Sequence, residues 1–115
     1  MHTNPVAGSG LFELRFYAAR PGRRDELARY MDEVVIPFNT ARGVEVIASL
    51  VDEQNENGYV WIRRFQDEAH RKDRYVAIYE DPEWRDVIGP VIMDLMVLEQ
   101  AVVTRAIPTP GSALR

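Results

Sequence analysis

The chain has 115 residues, of which 46% are hydrophobic, and a formal net charge of -4. This length suits one domain with a single core, and the acidic balance argues against a nucleic-acid partner, because binders of phosphate backbones carry a basic face. The sequence contains no cysteine, which excludes disulfides and thiolate chemistry. It also has no apolar run of the roughly 20 residues that a membrane span needs and no signal-peptide pattern. We therefore expect a cytoplasmic protein with no membrane partner.

The first predicted element is a strand at residues 11–19, after a flexible tail of residues 1–9 that is rich in proline and glycine. Alternation along this strand places an acid, a guanidinium and a phenol on one face and three apolar side chains on the other: Glu13, Arg15 and Tyr17 against Phe12, Leu14 and Phe16. We interpret the apolar set as the core face. The polar set is costly to bury unless its groups satisfy each other or bind a ligand.

A helix is predicted next. Asp25 and Glu26 suit its first turn, and apolar residues then recur at three- and four-residue steps. Pro37 is predicted to end or bend this helix, because proline donates no backbone hydrogen bond and crowds the preceding turn. The Asn57-Gly58 pair further along predicts a hairpin between two antiparallel strands.

The remaining elements are strands at 44–52 and 59–65, a helix at 67–79, a helical segment from Asp81-Pro82 that is kinked at Gly89-Pro90, and a last strand at 98–107. The order βαββαβ predicts an α+β, ferredoxin-like fold, with a four-stranded antiparallel sheet and helices on one face. One domain would span residues 10–108, followed by a second flexible tail at 109–115.

Two helices can cover only one face of such a sheet. The other face would carry Tyr17 and either Trp61 or Ile62, and strand three is bulky on both faces, which is typical of a strand buried on both sides. Soluble monomers rarely expose large apolar patches. We therefore expect a homodimer in which a second copy covers this face by two-fold symmetry, with a cavity in each subunit.

Three segments together resemble the NIPSNAP family: Glu13-Leu14-Arg15-Phe16-Tyr17 followed by Pro21-Gly22, then Asp81-Pro82-Glu83-Trp84, then a closing strand that runs into Pro108. The resemblance spans about residues 11–110. It implies the dimeric α/β-barrel superfamily, which also contains cofactor-independent monooxygenases of antibiotic biosynthesis. The chain departs from the family pattern at Trp61 and Arg63, where a histidine and a tryptophan are common, and at Ala101-Val102, where Asn-Arg is frequent.

Arg15, Tyr17 and Glu13 are the candidate catalytic residues. The planar fork of Arg15 suits a substrate carboxylate or enolate, and Tyr17 could donate a proton or a hydrogen bond. The structural alternatives are an internal bond from Arg15 to Glu13 or Glu99, and ordinary packing of Tyr17.

Six further residues are candidate substrate-binding residues: Trp61, Tyr59, Arg63, Asn39, His70 and Glu99. Trp61 and Tyr59 would stack on a flat ligand or belong to the dimer core, and Arg63 would add a second cation or form a salt bridge at the sheet margin. His70 is a possible base, and its structural alternative is a place on a solvated helix face. Glu99, predicted on the last strand, is a possible carboxylate base. Asn39 would bind a ligand carbonyl or cap its turn. No spacing predicts a metal site.

The sequence lacks a glycine-rich phosphate loop, a Gly-x-Ser-x-Gly elbow and a His-Glu-x-x-His segment, which argues against nucleotide hydrolysis, triad hydrolysis and zinc proteolysis. Our first hypothesis is an enzyme without metal or organic cofactor that acts on an apolar, aromatic or polyketide-like molecule through an enolate or phenolate, as a monooxygenase, isomerase or cyclase. The second is a non-catalytic dimer that binds a ligand or another protein. A third is a porphyrin-binding protein, although no axial histidine is evident.

Overall fold

The computed structural model describes residues 8–115, so most of the predicted N-terminal tail lies outside the described residues. The elements are, in chain order, β1 (Leu11–Ala18), α1 (Arg24–Tyr30), α2 (Ile36–Ala41), β2 (Glu45–Val51), β3 (Gly58–Phe65), α3 (Glu68–Tyr79), α4 (Gly89–Leu95) and β4 (Val102–Ala106). This is the α+β, ferredoxin-like order that the sequence predicts. Within residues 8–115, no helix has both the length and the apolar character that crossing a membrane would require.

The four strands form one antiparallel sheet in the order β2-β3-β1-β4. The predicted hairpin joins β2 to β3, and its loop is closed by Asp52, whose Oδ1 accepts from the backbone N–H groups of Gln54 and Asn55. Gly58 is required here, because a Cβ at this position would lie 2.7 Å from the Asp52 side chain. Strand β1 lies inside the sheet, because it pairs with β3 on one side and with β4 on the other.

Pro37 does not end the first helix, which was one of the two outcomes predicted for it. A π-helical turn at Met31–Val35 connects α1 to α2, and the N–H of Ile36 donates to the carbonyl of Met31, five residues earlier. The wider turn accommodates a residue that cannot donate, so the helical path continues to Ala41. The same arrangement recurs in the second half, where a π-helical turn at Trp84–Ile88 precedes Pro90.

The polar face of β1 is the face that packs against the helices. Across the sheet, Glu13 pairs with Arg63, Arg15 with Trp61 and Tyr17 with Tyr59, and all three β3 residues are buried beneath the helices. The interpretation of Phe12, Leu14 and Phe16 as the core face was therefore wrong, and so was the expectation that Tyr17 lies on the uncovered face. Of the two alternatives on strand three, Ile62 lies on that face and Trp61 does not. The aromatic residues of β3 supply the apolar core on this side, and the polar residues of β1 find charged partners there.

The opposite face, which we call the helix-free face, carries Phe12, Leu14 and Phe16 together with Ile62. At one end, residues 107–114 fold back over Phe12, Leu14 and Ile62, and Phe12 is only 5% exposed. Arg64 donates from Nε to the carbonyl of Arg115, so the predicted C-terminal tail lies against the domain. At the other end, Phe16, Leu50 and Val102 are exposed, which leaves part of this face bare.

Candidate functional site

Three charged side chains meet between the sheet and the helices, and we call Glu13, Arg15 and Arg63 the charged cluster. Glu13 Oε1 accepts from Arg15 Nε at 2.5 Å, from Arg63 Nη2 at 2.6 Å and from Arg63 Nε at 3.0 Å. Glu13 and Arg63 are essentially inaccessible to solvent, whereas the Arg15 side chain retains 16% exposure. One carboxylate therefore holds two guanidinium groups, and the charged cluster carries a net positive charge.

Helix α3 contributes two phenols to the charged cluster. Tyr75 donates to Glu13 Oε2 and accepts from Arg15 Nη2 at 3.0 Å, and Tyr79 accepts from Arg63 Nη2 at 3.0 Å. These tyrosines are four residues apart, which places both on the helix face above β1. They were not predicted as site residues. The signal that would have found them is this spacing, combined with the need of a buried phenol for a hydrogen-bond partner.

Asn39 connects the first helix to the charged cluster. Its Oδ1 accepts from Arg63 Nη1 at 2.9 Å, and its Nδ2 donates to the carbonyl of Val35 at 2.9 Å. Because the amide is fully buried and bonded at both ends, its oxygen is fixed toward Arg63. In this structure Asn39 orients the guanidinium of Arg63 and does not cap the end of its helix.

Electrostatics keep the charged cluster ionised. Burial alone would raise the pKa of Glu13, but Arg63 and Arg15 outweigh burial and lower it to about 2. Burial works against the charge on Arg15 as well, yet Tyr79, Tyr17 and Glu13 raise its pKa above the ordinary value. Burial also raises the pKa of Tyr79, against the opposing effect of the two guanidinium groups. At neutral pH the charged cluster is thus one carboxylate and two cations, and the hydroxyls of Tyr17, Tyr75 and Tyr79 hydrogen-bond to it.

A cavity of about 320 Å³ opens beside Arg15, between β1, β4 and the helical segments that follow α3. Its polar lining consists of the Arg15 side chain and the hydroxyls of Tyr17 and Tyr79, and the rest is apolar: Trp84, Ile92, Met93, Met96, Leu98, Ala101 and Val103. Sites for small molecules have this character, with apolar walls and a few convergent polar groups. Cavities of similar volume at the ends of the sheet lack a buried ionised cluster. The cavity beside Arg15 is therefore the candidate functional site.

Arg15 has hydrogen-bonding capacity left for a ligand. Its Nε donates to Glu13, its Nη2 to Tyr75 and its Nη1 to Tyr17, the last at 3.2 Å. These three bonds use one N–H on each nitrogen, and a guanidinium has five. Within residues 8–115, one N–H on each terminal nitrogen has no protein acceptor. Arg15 is the one member of the charged cluster that lines the cavity, so these N–H groups are the donors that a ligand there would meet.

Trp61 and Tyr59 do not line the cavity. Both are buried under the helices, so the alternative that they form a dimer core is wrong. Tyr59 shares a hydrogen bond of 2.7 Å with Ser49, and burial raises its pKa to about 12. Trp61 lies against Tyr17 and below the guanidinium of Arg63, whose central carbon is 4.8 Å from the indole ring. Arg63 is likewise fully buried, and not at the sheet margin as one alternative had it.

His70 and Glu99 lie away from the charged cluster. His70 stands in the first turn of α3, where its N–H donates to Asp67 Oδ1 at 2.8 Å and its Nδ1 accepts from the N–H of Gln66 at 3.0 Å. The prediction of Glu99 on the last strand was wrong. It is exposed on a short 3-10 turn at Leu98–Gln100, because β4 begins only at Val102.

A model of the NIPSNAP family matches residues 12–112. Among solved structures, a NIPSNAP family protein from Agrobacterium tumefaciens is 22% identical, with 100% of this chain and 97% of that chain covered and a TM-score of 0.82. A second NIPSNAP family protein of that organism, of unknown function, is 21% identical, with 98% and 100% covered and a TM-score of 0.85.

A more divergent structure is that of a Bacteroides thetaiotaomicron protein proposed to be an antibiotic biosynthesis monooxygenase. It is 19% identical, with 96% of this chain and 100% of that chain covered and a TM-score of 0.67. No curated protein matches the chain. At these low identities the TM-scores establish a common fold and nothing more. The family model, in contrast, extends over most of the sequence. The chain therefore belongs to the NIPSNAP family.

Proposed function

We propose that this protein is a homodimeric enzyme that binds a small, largely apolar or aromatic molecule in the cavity beside Arg15. In this proposal it stabilises an enolate or phenolate of that molecule, as a cofactor-independent monooxygenase, isomerase or cyclase would. The observation that carries the proposal is the position of Arg15. It is the only member of the charged cluster that lines the cavity, and its remaining N–H donors belong to a site with otherwise apolar walls.

The chemistry follows from this geometry. A ligand oxygen at the polar end of the cavity would accept from the free N–H groups of Arg15, beside the hydroxyls of Tyr17 and Tyr79. Negative charge that develops on this oxygen would be stabilised by a cation that is already oriented, since Glu13 and Tyr75 hold the guanidinium in place. The apolar walls would exclude water and strengthen the interaction. Glu13 acts here as a positioning residue for Arg15.

The comparisons support the fold on which this proposal depends. The Bacteroides thetaiotaomicron protein shares the overall architecture, and an activity proposed for it is a reason to test oxygenation of phenols by this chain. Oxygenation would use dioxygen as the oxidant, whereas isomerisation and cyclisation need none.

The homodimer is supported by the helix-free face. Phe16 is 40% exposed, Leu50 53% and Val102 55%, and strand pairing places the three at the same end of the sheet. An identical surface on a second copy would bury these side chains in an isologous interface. The cavity lies on the opposite face, so each subunit would hold its own site.

A second candidate function is binding of the same kind of ligand without catalysis. It is favoured by one observation: the titratable residues that line the cavity are Arg15, Tyr17 and Tyr79, and none of them is a carboxylate or an imidazole. A binding protein needs no proton acceptor, whereas an enzyme that forms an enolate from a neutral ketone does.

Incubation in air with naphthol and with a cyclic β-diketone tests the proposal. Binding is followed by thermal shift and conversion by mass spectrometry, for the wild type, Arg15→Gln and the control Arg85→Gln. The control changes an exposed arginine whose side chain, within residues 8–115, pairs only with Asp86. The enzyme is supported if the wild type and the Arg85→Gln control bind and convert a ligand and Arg15→Gln does neither. Binding without conversion would favour the second function. Failure of both ligands to bind would contradict the cavity as a site.

A further inference from the structure

We propose that the cavity takes its ligand as a preformed oxyanion, which makes acidic phenols, enolised β-dicarbonyl compounds and aromatic carboxylates its ligand class. This inference rests on the proposed function only in assigning the cavity as the ligand site. It adds that the ligand brings its own negative charge, and that the protein does not remove a proton from it.

The charge balance of the charged cluster favours an anionic ligand. Glu13 offsets only one of the two guanidinium groups of the charged cluster, and none of the other side chains that bond to them is a carboxylate: they are Tyr17, Tyr75, Tyr79 and Asn39. An unpaired buried cation costs several kcal/mol of desolvation. An anion in the cavity beside Arg15 would supply the missing charge.

The surrounding elements do not supply it. On α3, Glu68 pairs with Arg71 at 2.8 Å and also with Arg105 of β4. Glu68 is therefore already shared by two cations and has no charge left over for Arg15. On α4, Asp94 is largely exposed and pairs with Arg23. The part of this helical region that lines the cavity is neutral, with Trp84, Ile92, Met93 and Met96. Within residues 8–115, Glu13 is the only carboxylate that pairs with Arg15 or hydrogen-bonds to it, and Glu99, on the turn that carries Leu98, is exposed.

The residues that line the cavity also include no proton acceptor for a neutral ligand. Both oxygens of Glu13 already accept hydrogen bonds, from Arg15, Arg63 and Tyr75. The hydroxyl of Tyr17 accepts from Arg15 and that of Tyr79 from Arg63. A neutral phenol bound at Arg15 would meet no carboxylate or imidazole among the residues that line the cavity to receive its proton. A ligand that is ionised before binding needs none.

The proposal predicts that binding favours the deprotonated ligand and so lowers the pKa of the bound ligand. Para-nitrophenol is a suitable probe, because it titrates near neutral pH, its phenolate absorbs visible light, and its size fits the cavity. The matched ligand is para-nitroanisole, which has the same ring and nitro group but no ionisable oxygen.

The experiment is an absorbance titration of para-nitrophenol against pH, with and without saturating wild-type protein, together with calorimetric binding of both ligands. We expect the pKa of bound para-nitrophenol to fall by roughly one unit or more, which corresponds to at least a tenfold preference for the phenolate. We expect para-nitroanisole to bind at least tenfold more weakly than the phenolate.

An unchanged or raised pKa of bound para-nitrophenol, or equal binding of para-nitroanisole, would overturn the proposal and leave the cavity standing as a ligand site. Failure of both ligands to bind would contradict the proposed function and this proposal with it. Asn39→Asp provides a charge test, because it adds a carboxylate beside Arg63 without lining the cavity. In that variant the shift should shrink, whereas the neutral Asn39→Ser should retain it. If these variants do not fold, the wild-type titration decides alone.

Discussion

Arg15 and Arg63 donate to the same oxygen of Glu13, at 2.5 Å and 2.6 Å. Two like charges are brought this close only because one carboxylate lies between them, while Tyr75 bonds to its other oxygen. Arg63 is fully buried by this arrangement and Arg15 is directed toward the cavity. The two arginines therefore have different roles. Arg63 connects the sheet to the helices through Asn39 and Tyr79, and Arg15 presents a cation to a ligand in the cavity.

Replacing Glu13 with glutamine should destabilise the fold strongly. The change leaves two guanidinium groups without a counter-charge in a buried site, and removal of one partner from a buried ion pair costs about 3 to 5 kcal/mol. Urea unfolding measures the loss. Glu99→Gln is the matched control, since Glu99 is exposed and should change the free energy of unfolding by less than about 0.5 kcal/mol. Equal stability of the two variants would contradict the role of Glu13.

Stability should also fall in acid through Glu13. Its pKa in the folded protein is about 2, against an ordinary value of 4.5, so the unfolded chain binds the proton first. The contribution of Glu13 is therefore fully present above pH 4.5 and is lost as the pH falls toward 2. Urea unfolding across this range should show a steeper decline for the wild type than for Glu13→Gln.

Glu68 provides a comparison for the acid dependence, because its pKa is also lowered to about 2, chiefly by its hydrogen bond with Arg71. Its ion pairs lie at the surface, where solvent weakens them. Glu68→Gln should therefore flatten the pH profile less than Glu13→Gln does. A larger effect of the Glu68 variant would argue against the buried cluster as the main acid-sensitive element.

Removing the hydroxyl of Tyr75 should weaken both the fold and the site. Tyr75→Phe leaves Glu13 Oε2 and one N–H of Arg15 without a partner, which costs about 1 to 3 kcal/mol for buried groups. Tyr30→Phe is the control, because the Tyr30 hydroxyl makes no hydrogen bond within residues 8–115. We expect the Tyr75 variant to melt at a lower temperature than the control and to bind para-nitrophenolate more weakly. Identical melting temperatures would show that the hydroxyl is not needed.

A charge on the helix-free face should separate the proposed dimer. Phe16→Glu places a carboxylate among exposed apolar side chains of the sheet, whereas Val76→Glu makes the same change on α3, away from that face. Light scattering should give a dimer for the wild type and for the Val76 variant, and a folded monomer for the Phe16 variant. A wild-type monomer at micromolar concentration would contradict the homodimer.

Alternation and turn chemistry were enough to predict the fold. The Asn57-Gly58 pair located the hairpin, and the period of two in β1 correctly grouped Glu13 with Arg15 and Tyr17. These features are local, so each can be recognised within a few residues. Once the elements are known, the rules for connecting strands and helices leave only a few possible topologies for the order βαββαβ.

The orientation of β1 could not be obtained in this way. Whether its polar face is buried depends on Arg63 from the neighbouring strand and on Tyr75 and Tyr79 from α3, residues that lie 50 or more positions from Glu13 along the chain. No pattern within the strand reveals such partners. The apolar side chains of Phe12, Leu14 and Phe16 looked like the core because they were judged without the C-terminal segment and the second copy that we expect to cover them.

The most direct test of the central claim is a crystal structure of the wild-type protein soaked with para-nitrophenolate. We expect the ligand in the cavity, with its phenolate oxygen within hydrogen-bond distance of a terminal nitrogen of Arg15 and its ring against Trp84 and Met96. A cavity that stays closed to the ligand, or a ligand whose oxygen points away from Arg15 into solvent, would contradict it.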